Sequence, residues 1–276
     1  MSKILQSNKD YHSSDAIGSS ILKAIANSTL AHALLKEFKE TDALKLGSAV
    51  HAAILEPETF DDEFLVMPKI DKRTKAGKIL AAEYAEMAKD KTVITEDQKE
   101  SVDAIVKAIK AHSTANAMLS GGEAEYSYYF KEGDLEYKCR PDYVNQGALI
   151  DLKTCQDASP DGFMRACFNF GYHIQAAYYL DIYNKANDTN LEEFFFVAVE
   201  TKAPYAVNIF KMGEVEIQLG REQYKKALAQ LIEYKKNGEK LEELASPKYA
   251  YGEEINNVEY PLWMLNKIDT NTGEVA

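Results

Sequence analysis

Apolar residues recur along this chain with two periods, and the change falls at Gly121-Gly122. Ahead of that point the spacing is helical. Ile21, Leu22, Ile25, Leu34, Leu35 and Phe38 mark helical structure over 18–38. Leu46, Val50 and Ile54 mark a helix over 42–55 that Pro57 stops. Two further helices are predicted near 75–90 and over 96–119, the second opened by the capping-box pattern Thr95-Glu96-Asp97-Gln98. Beyond the glycines the pattern alternates, and 126–130, 135–144 and 148–154 read as a three-stranded meander. Ser159-Pro160 suits the first positions of a helix near 160–168, and 172–187 is a stronger helix. The run 193–200 reads as a buried strand with 205–212 as its neighbour, and 214–237 as a long amphipathic helix. This order predicts a mixed α/β fold, with a central mixed sheet flanked by helices and a helical N-terminal portion. One domain over 1–276 is expected: a mainly helical part over 1–120, a core over 121–245 and a loosely packed tail over 246–276, anchored at Trp263.

Composition narrows the class. The apolar share of 46% is enough for a sizeable core, and no run is long enough to span a bilayer. The N-terminus lacks the apolar core of a signal peptide, so a cytoplasmic protein without membrane contact is expected. Cys139, Cys155 and Cys167 are widely spaced, which argues against zinc and disulfide frameworks. A net charge of −12 argues against a broad surface that coats nucleic acid. Much of the acidity lies late, as in Glu192-Glu193 and from Glu239 to Glu243, which leaves room for a narrow positive channel.

The candidate chemistry sits in one hairpin. Arg140-Pro141-Asp142 precedes the turn Asn145-Gln146-Gly147, and Asp151-Leu152-Lys153 follows it. Side chains alternate along a strand, so Asp151 and Lys153 share a face, with Asp142 close across the turn. Two carboxylates and an ammonium at one spot can hold a divalent cation and set a lysine beside the water it activates. A lone Asp-x-Lys is a common solvated surface pattern. Here Asp151 interrupts the apolar run Ala148-Leu149-Ile150-Asp151-Leu152, and a buried acid is costly unless paired or coordinated. The spacing matches the PD-(D/E)xK nuclease signature.

Three other features stand out. Gly47 lies one turn before His51 on the second helix. From these residues alone a helix-packing glycine beside a half-buried structural histidine is the plainer reading. Tyr172, Gln175 and Tyr179 share one helix face, where they either contact phosphate or form core; His173 falls on another face and reads as structural. Glu125 is equally an outer metal ligand or a surface acid at a strand end. Arg140, Arg165, Lys72 and Arg73 are candidates for the DNA path, the last three on charge alone.

Together these segments resemble the RecE-type exonucleases of phages and prophages (exodeoxyribonuclease VIII), within the PD-(D/E)xK nucleases. The resemblance rests on Asp10-Tyr11-His12, Ser19-Ser20-Ile21-Leu22-Lys23, Leu46-Gly47-Ser48-Ala49-Val50-His51, Leu55-Glu56-Pro57, Phe60, Arg140-Pro141-Asp142, Ile150-Asp151-Leu152-Lys153-Thr154 and Gly171-Tyr172-His173-Ile174-Gln175-Ala176-Ala177-Tyr178-Tyr179. It implies that His51, Asp142, Asp151 and Lys153 form the active site, and it raises Gln175 and Tyr179. His51, Asp142, Asp151 and the Leu152 carbonyl would surround Mg²⁺, with Mn²⁺ able to substitute, and Lys153 would serve the attacking water. The resemblance further implies digestion of linear double-stranded DNA from 5′ ends, a 3′ strand left for an annealing protein of the RecT type, and a homo-oligomeric ring such as a tetramer. An endonuclease or single-strand nuclease on the same fold, or a non-catalytic interaction module, are the competing expectations.

Overall fold

The computed structural model of the protein describes residues 2–37, 39–238 and 240–259. The expectations placed on Phe38, Glu239 and Trp263 lie outside the described residues. The N-terminal part contains β1 (Ser2–Leu5), α1 (Asn8–Ser13), α2 (Ser19–Asn27), α3 (Leu30–Leu35), α4 (Asp42–Leu55), α5 (Phe60–Glu63), β2 (Phe64–Met67), α6 (Lys75–Met87), β3 (Thr92–Thr95), α7 (Glu96–Ala111) and α8 (Ser113–Met118). Then follow β4 (Glu123–Ala124), β5 (Tyr126–Glu132), β6 (Leu135–Cys139), β7 (Tyr143–Asn145), β8 (Ala148–Cys155), α9 (Pro160–Phe170), α10 (Tyr172–Asn187), β9 (Glu193–Glu200), β10 (Val207–Lys211) and α11 (Glu214–Lys236).

The central sheet has the order β10-β9-β8-β7-β4 and is mixed, because β8 and β9 run parallel while the other pairs are antiparallel. The parallel pair requires a crossover, and α9 and α10 supply it. Both faces of β8 are covered, which explains its near-continuous apolar run. Leu149 joins Phe194 and Phe196 in a core with α10 and α11. Ile150 and Leu152 join Val197 and Val199 in a second core with α4 and α7. Strand alternation then places Asp151 and Lys153 on the Leu149 side, under α10. Helices α10 and α11 touch closely at Gly220, where an added Cβ would stand 2.2 Å from the His173 carbonyl oxygen. Only glycine fits there.

Three expectations change. The meander is cut: β6 pairs with β5 in a separate sheet of order β1-β5-β6, whereas β7 pairs with β8. The break falls at Arg140-Pro141-Asp142, where Pro141 has no N–H to offer a ladder. The helix expected over 96–119 is two helices, divided at His112, whose backbone is extended and whose ring accepts from the Ala115 N–H to cap α8. Likewise 18–38 is divided, with Thr29 capping α3. The strands β1, β2 and β3 carry no strong alternation and go unpredicted. The capping box at Thr95 and the Ser159-Pro160 start form as expected.

Candidate metal centre and cleft

Four separate segments meet at the carboxyl side of the hairpin. From α4 comes His51, half-buried, with Nδ1 3.5 Å from Asp142 Oδ2 and 3.9 Å from Glu125 Oε1. Between β4 and β5 comes Glu125, whose φ of 55° lies in the left-handed region that non-glycine residues seldom occupy. Its N–H donates to the Asp142 carbonyl at 3.1 Å, so the strained backbone is tied to the neighbouring strand. One ligand atom each from His51, Glu125 and Asp142 lies within 4.8 Å of the others. From β8 come Asp151 and Lys153, and from α10 Tyr172, Gln175 and Tyr179.

Asp151 is fully buried. Its Oδ1 accepts from the Gln175 amide at 2.6 Å, and Lys153 Nζ stands 2.5 Å from Oδ2. That approach is an ion contact, since Oδ2 accepts no well-aligned hydrogen bond. Asp142 accepts from the Leu152 N–H at 2.7 Å, so Leu152 meets the site through its amide. The expected grouping is therefore rearranged: Glu125 joins His51 and Asp142 in the close trio, and Asp151 stands behind it with Lys153.

The electrostatics follow from crowding. Burial, then Asp151, raise Asp142 to about 7, against the pull of His51. Burial alone would lower His51, yet Asp142 and Glu125 outweigh it and hold the ring up at about 9. Lys153 is raised as well, because Asp151 and Asp142 overcome its burial. Lys23 goes the other way, lowered to about 8 by burial and by Lys153. A cation placed among these acids would relieve their mutual repulsion.

The hard oxygen donors of Glu125 and Asp142 with one imidazole fit a divalent metal of the Mg²⁺ or Mn²⁺ kind. They open onto a cleft of about 750 Å³ lined also by His12, Lys23, Tyr172 and Tyr179. Tyr172 lies under Lys153, ring centroid to Nζ 5.0 Å. Gly171, at φ 64°, ends α9 and starts α10, and a Cβ there would meet Asn27 Nδ2 at 3.0 Å. This turn sets Tyr172, Gln175 and Tyr179 against α2.

The residues expected on the DNA path fall in different settings. Arg140 is buried on the cleft wall, its Nε 2.6 Å from Glu125 Oε2 and its Nη2 3.6 Å from Glu56. Gln175 is buried and engaged at both ends, donating one N–H to Asp151 and accepting from Lys23 at 3.0 Å. Lys72, Arg73 and Arg165 do not line the cleft. Arg73 pairs with Asp71 at 2.9 Å, and Arg165 lies 4.0 Å from Asp157, both on exposed surface. His173 bonds Gln223 at 2.6 Å, as a structural residue would. Sequence reasoning missed Lys23 as a site residue; its one signal was its place in a quoted segment of the resemblance.

Among solved structures, the chain is similar to a protein of Eubacterium rectale named as a candidate exonuclease, at 16% identity, covering 95% of this chain and 98% of that one with a TM-score of 0.62. That likeness shows the fold. A phage related exonuclease of Haemophilus somnus 129PT matches at 12% identity over 72% of this chain and 97% of the other, with a TM-score of 0.31, too low to carry an argument. Among curated proteins none matches. No helix among the described residues is long and apolar enough to cross a membrane. The family model described as "PDDEXK-like domain of unknown function (DUF3799)" matches residues 18–246, and with the PD-(D/E)xK set assembled in one cleft the chain belongs to that family.

Proposed function

We propose that the protein is a divalent-metal-dependent deoxyribonuclease, and specifically a RecE-type exonuclease that digests linear duplex DNA 5′→3′ and leaves a 3′ strand for an annealing protein of the RecT type. The observation that carries the reading is the trio His51, Glu125 and Asp142 beside the Asp151–Lys153 pair in one cleft. The name of the Eubacterium rectale structure supports the exonuclease part. Mg²⁺ is the proposed ion, with Mn²⁺ as substitute, and a ring of copies the proposed assembly.

His51, Glu125 and Asp142 would hold the ion, with Asp151 Oδ2 and the Leu152 carbonyl as further oxygens. When bound, such an ion lowers the pKa of water and neutralises charge on the phosphoryl oxygens. Lys153, raised and therefore charged, orients water and offsets charge building on the phosphate. Gln175 fixes Asp151 through Oδ1, so that Oδ2, beside Lys153, is the oxygen left for the ion. Tyr172 and Tyr179 shape the wall.

Incubation with linear and covalently closed duplex DNA, with Mg²⁺ or EDTA, tests this. Metal-dependent loss of the linear form alone supports the proposal. Loss of both forms makes the protein an endonuclease, and loss of neither overturns the catalytic reading.

A further inference from the structure

The cleft does not end at Lys23. A second groove of about 700 Å³ begins there, sharing Lys23 and Phe170 with the first and running along α2 and α3 to Lys36. Its lining includes Lys23, Asn27, His32, Lys36 and Asn169 and, among the described residues, not one carboxylate. In a chain of net charge −12 a groove whose described lining carries no acid is a local exception. It touches the site where Lys153 acts.

At the junction stands Phe170, the last residue of α9 and 60% exposed. The core offers it no cover, and its ring centroid lies 5.7 Å from that of Tyr172, at an interplanar angle of 32°. Tyr172 in turn lies between Lys153 and Lys23, at 5.0 and 5.9 Å from their ammonium groups. An aromatic face beside a line of cationic and amide side chains is the combination that binds a single nucleic-acid strand: phosphates follow the charge and bases stack on the ring.

We propose that this groove carries one DNA strand to or from the cleft, with a base stacked on Phe170 and phosphates at Lys23, Asn27 and Lys36. The proposal rests on the reading of DNA as substrate. It places the strand path on α2, α3 and α9, away from Lys72 and Arg73.

The test is fluorescence anisotropy with a labelled oligothymidylate of about twelve nucleotides, within the site size of such grooves. EDTA is present, so no strand is cut. Phe170→Ala should weaken binding about tenfold, and Phe170→Trp should restore it. Lys36→Glu should weaken it at least as much and lower the salt slope by about 0.7 for the phosphate lost. Lys72→Glu, the same charge reversal elsewhere, should leave binding unchanged. Phe170 and Lys36 are exposed, and far-ultraviolet circular dichroism should show folded variants. Wild-type affinity in both Phe170→Ala and Lys36→Glu, an equal loss in Lys72→Glu, or no binding by the wild type would overturn the groove. Hydrolysis by the wild type with Mn²⁺ is read separately. A protein that binds through Phe170 but never cuts keeps the groove and removes the nuclease.

Discussion

Asp142 and Asp151 come from the two sides of one hairpin, yet their surroundings differ in kind. Asp151 is sealed, with Gln175 on one oxygen and the Lys153 ammonium on the other. Asp142 opens onto the cleft, crowded by Glu125 and Asp151 and faced by one imidazole. The first carboxylate is part of a paired network; the second is an acid held among acids. A sealed carboxylate and one open to the cleft thus stand on either side of one turn, and the burial and partners of each, more than its place in the motif, tell them apart.

The sharpest way to break that comparison is to neutralise each acid in turn. Asp142→Asn and Asp151→Asn should both lower single-turnover cleavage of linear DNA by about a thousandfold or more, as expected when charge at a reacting phosphate is lost. Their stabilities should diverge. Asp142→Asn relieves like-charge crowding, so the metal-free melting temperature should hold or rise. Asp151→Asn strands a mostly buried Lys153 and should destabilise by about 3 kcal/mol, the range for breaking a buried pair. Equal melting temperatures would show that the two acids are not so different.

Gln175→Ala should act at one remove. It leaves every proposed ligand in place but frees Asp151 to turn, and a loss of about 10–100-fold in metal affinity or rate is expected. Titration with Mn²⁺ by calorimetry checks it, and Gln175→Glu, which adds an acid beside Asp151, should do worse than alanine.

The smallest effect is on pH dependence without metal. Asp142 is raised from 3.8 to about 7, so between those values the folded protein binds more protons than the unfolded chain. His51, raised from 6.5 to about 9, does the same over its own window. Both signs agree, and stability should fall as pH rises from about 4 to about 9. Metal binding, which needs a neutral His51 and an ionised Asp142, should strengthen over the same range. His51→Asn should remove the His51 contribution to that slope and, by ending its pull on Asp142, shift the lower limb to higher pH.

Much of this was legible in the chain. Helix α4, helix α10 and strand β9 follow the predicted bounds, helped by punctuation such as Pro57 after α4 and Gly171 before α10. The Asp151–Lys153 face follows from strand alternation alone. What escaped was decided at a distance. Pro141 looked like the middle of one strand and is the passage between two sheets. Glu125 looked like a strand end and is a kink with positive φ, held by a hydrogen bond to Asp142. Lys23 reaches Gln175 across a sequence separation of 152, which no local pattern records. Arg140 looked like a free cation until Glu125 and Glu56 were found beside it.

The parallel pairing of β8 with β9 has a consequence for how the molecule comes into being. Strands that run in the same direction meet only after the chain between them has folded back, so their contacts form late and slowly. Asp151 and Lys153 sit on β8 in that pair; Gln175 of α10 bonds Asp151, Lys23 of α2 bonds Gln175, and His51 of α4 faces Asp142. Helices can form early during refolding, whereas the cleft needs the non-local pairing of β8 with β9. Cutting activity should therefore trail the helical signal in time, and a chain still emerging from the ribosome stays harmless to the nucleic acid around it until its last long-range contacts close.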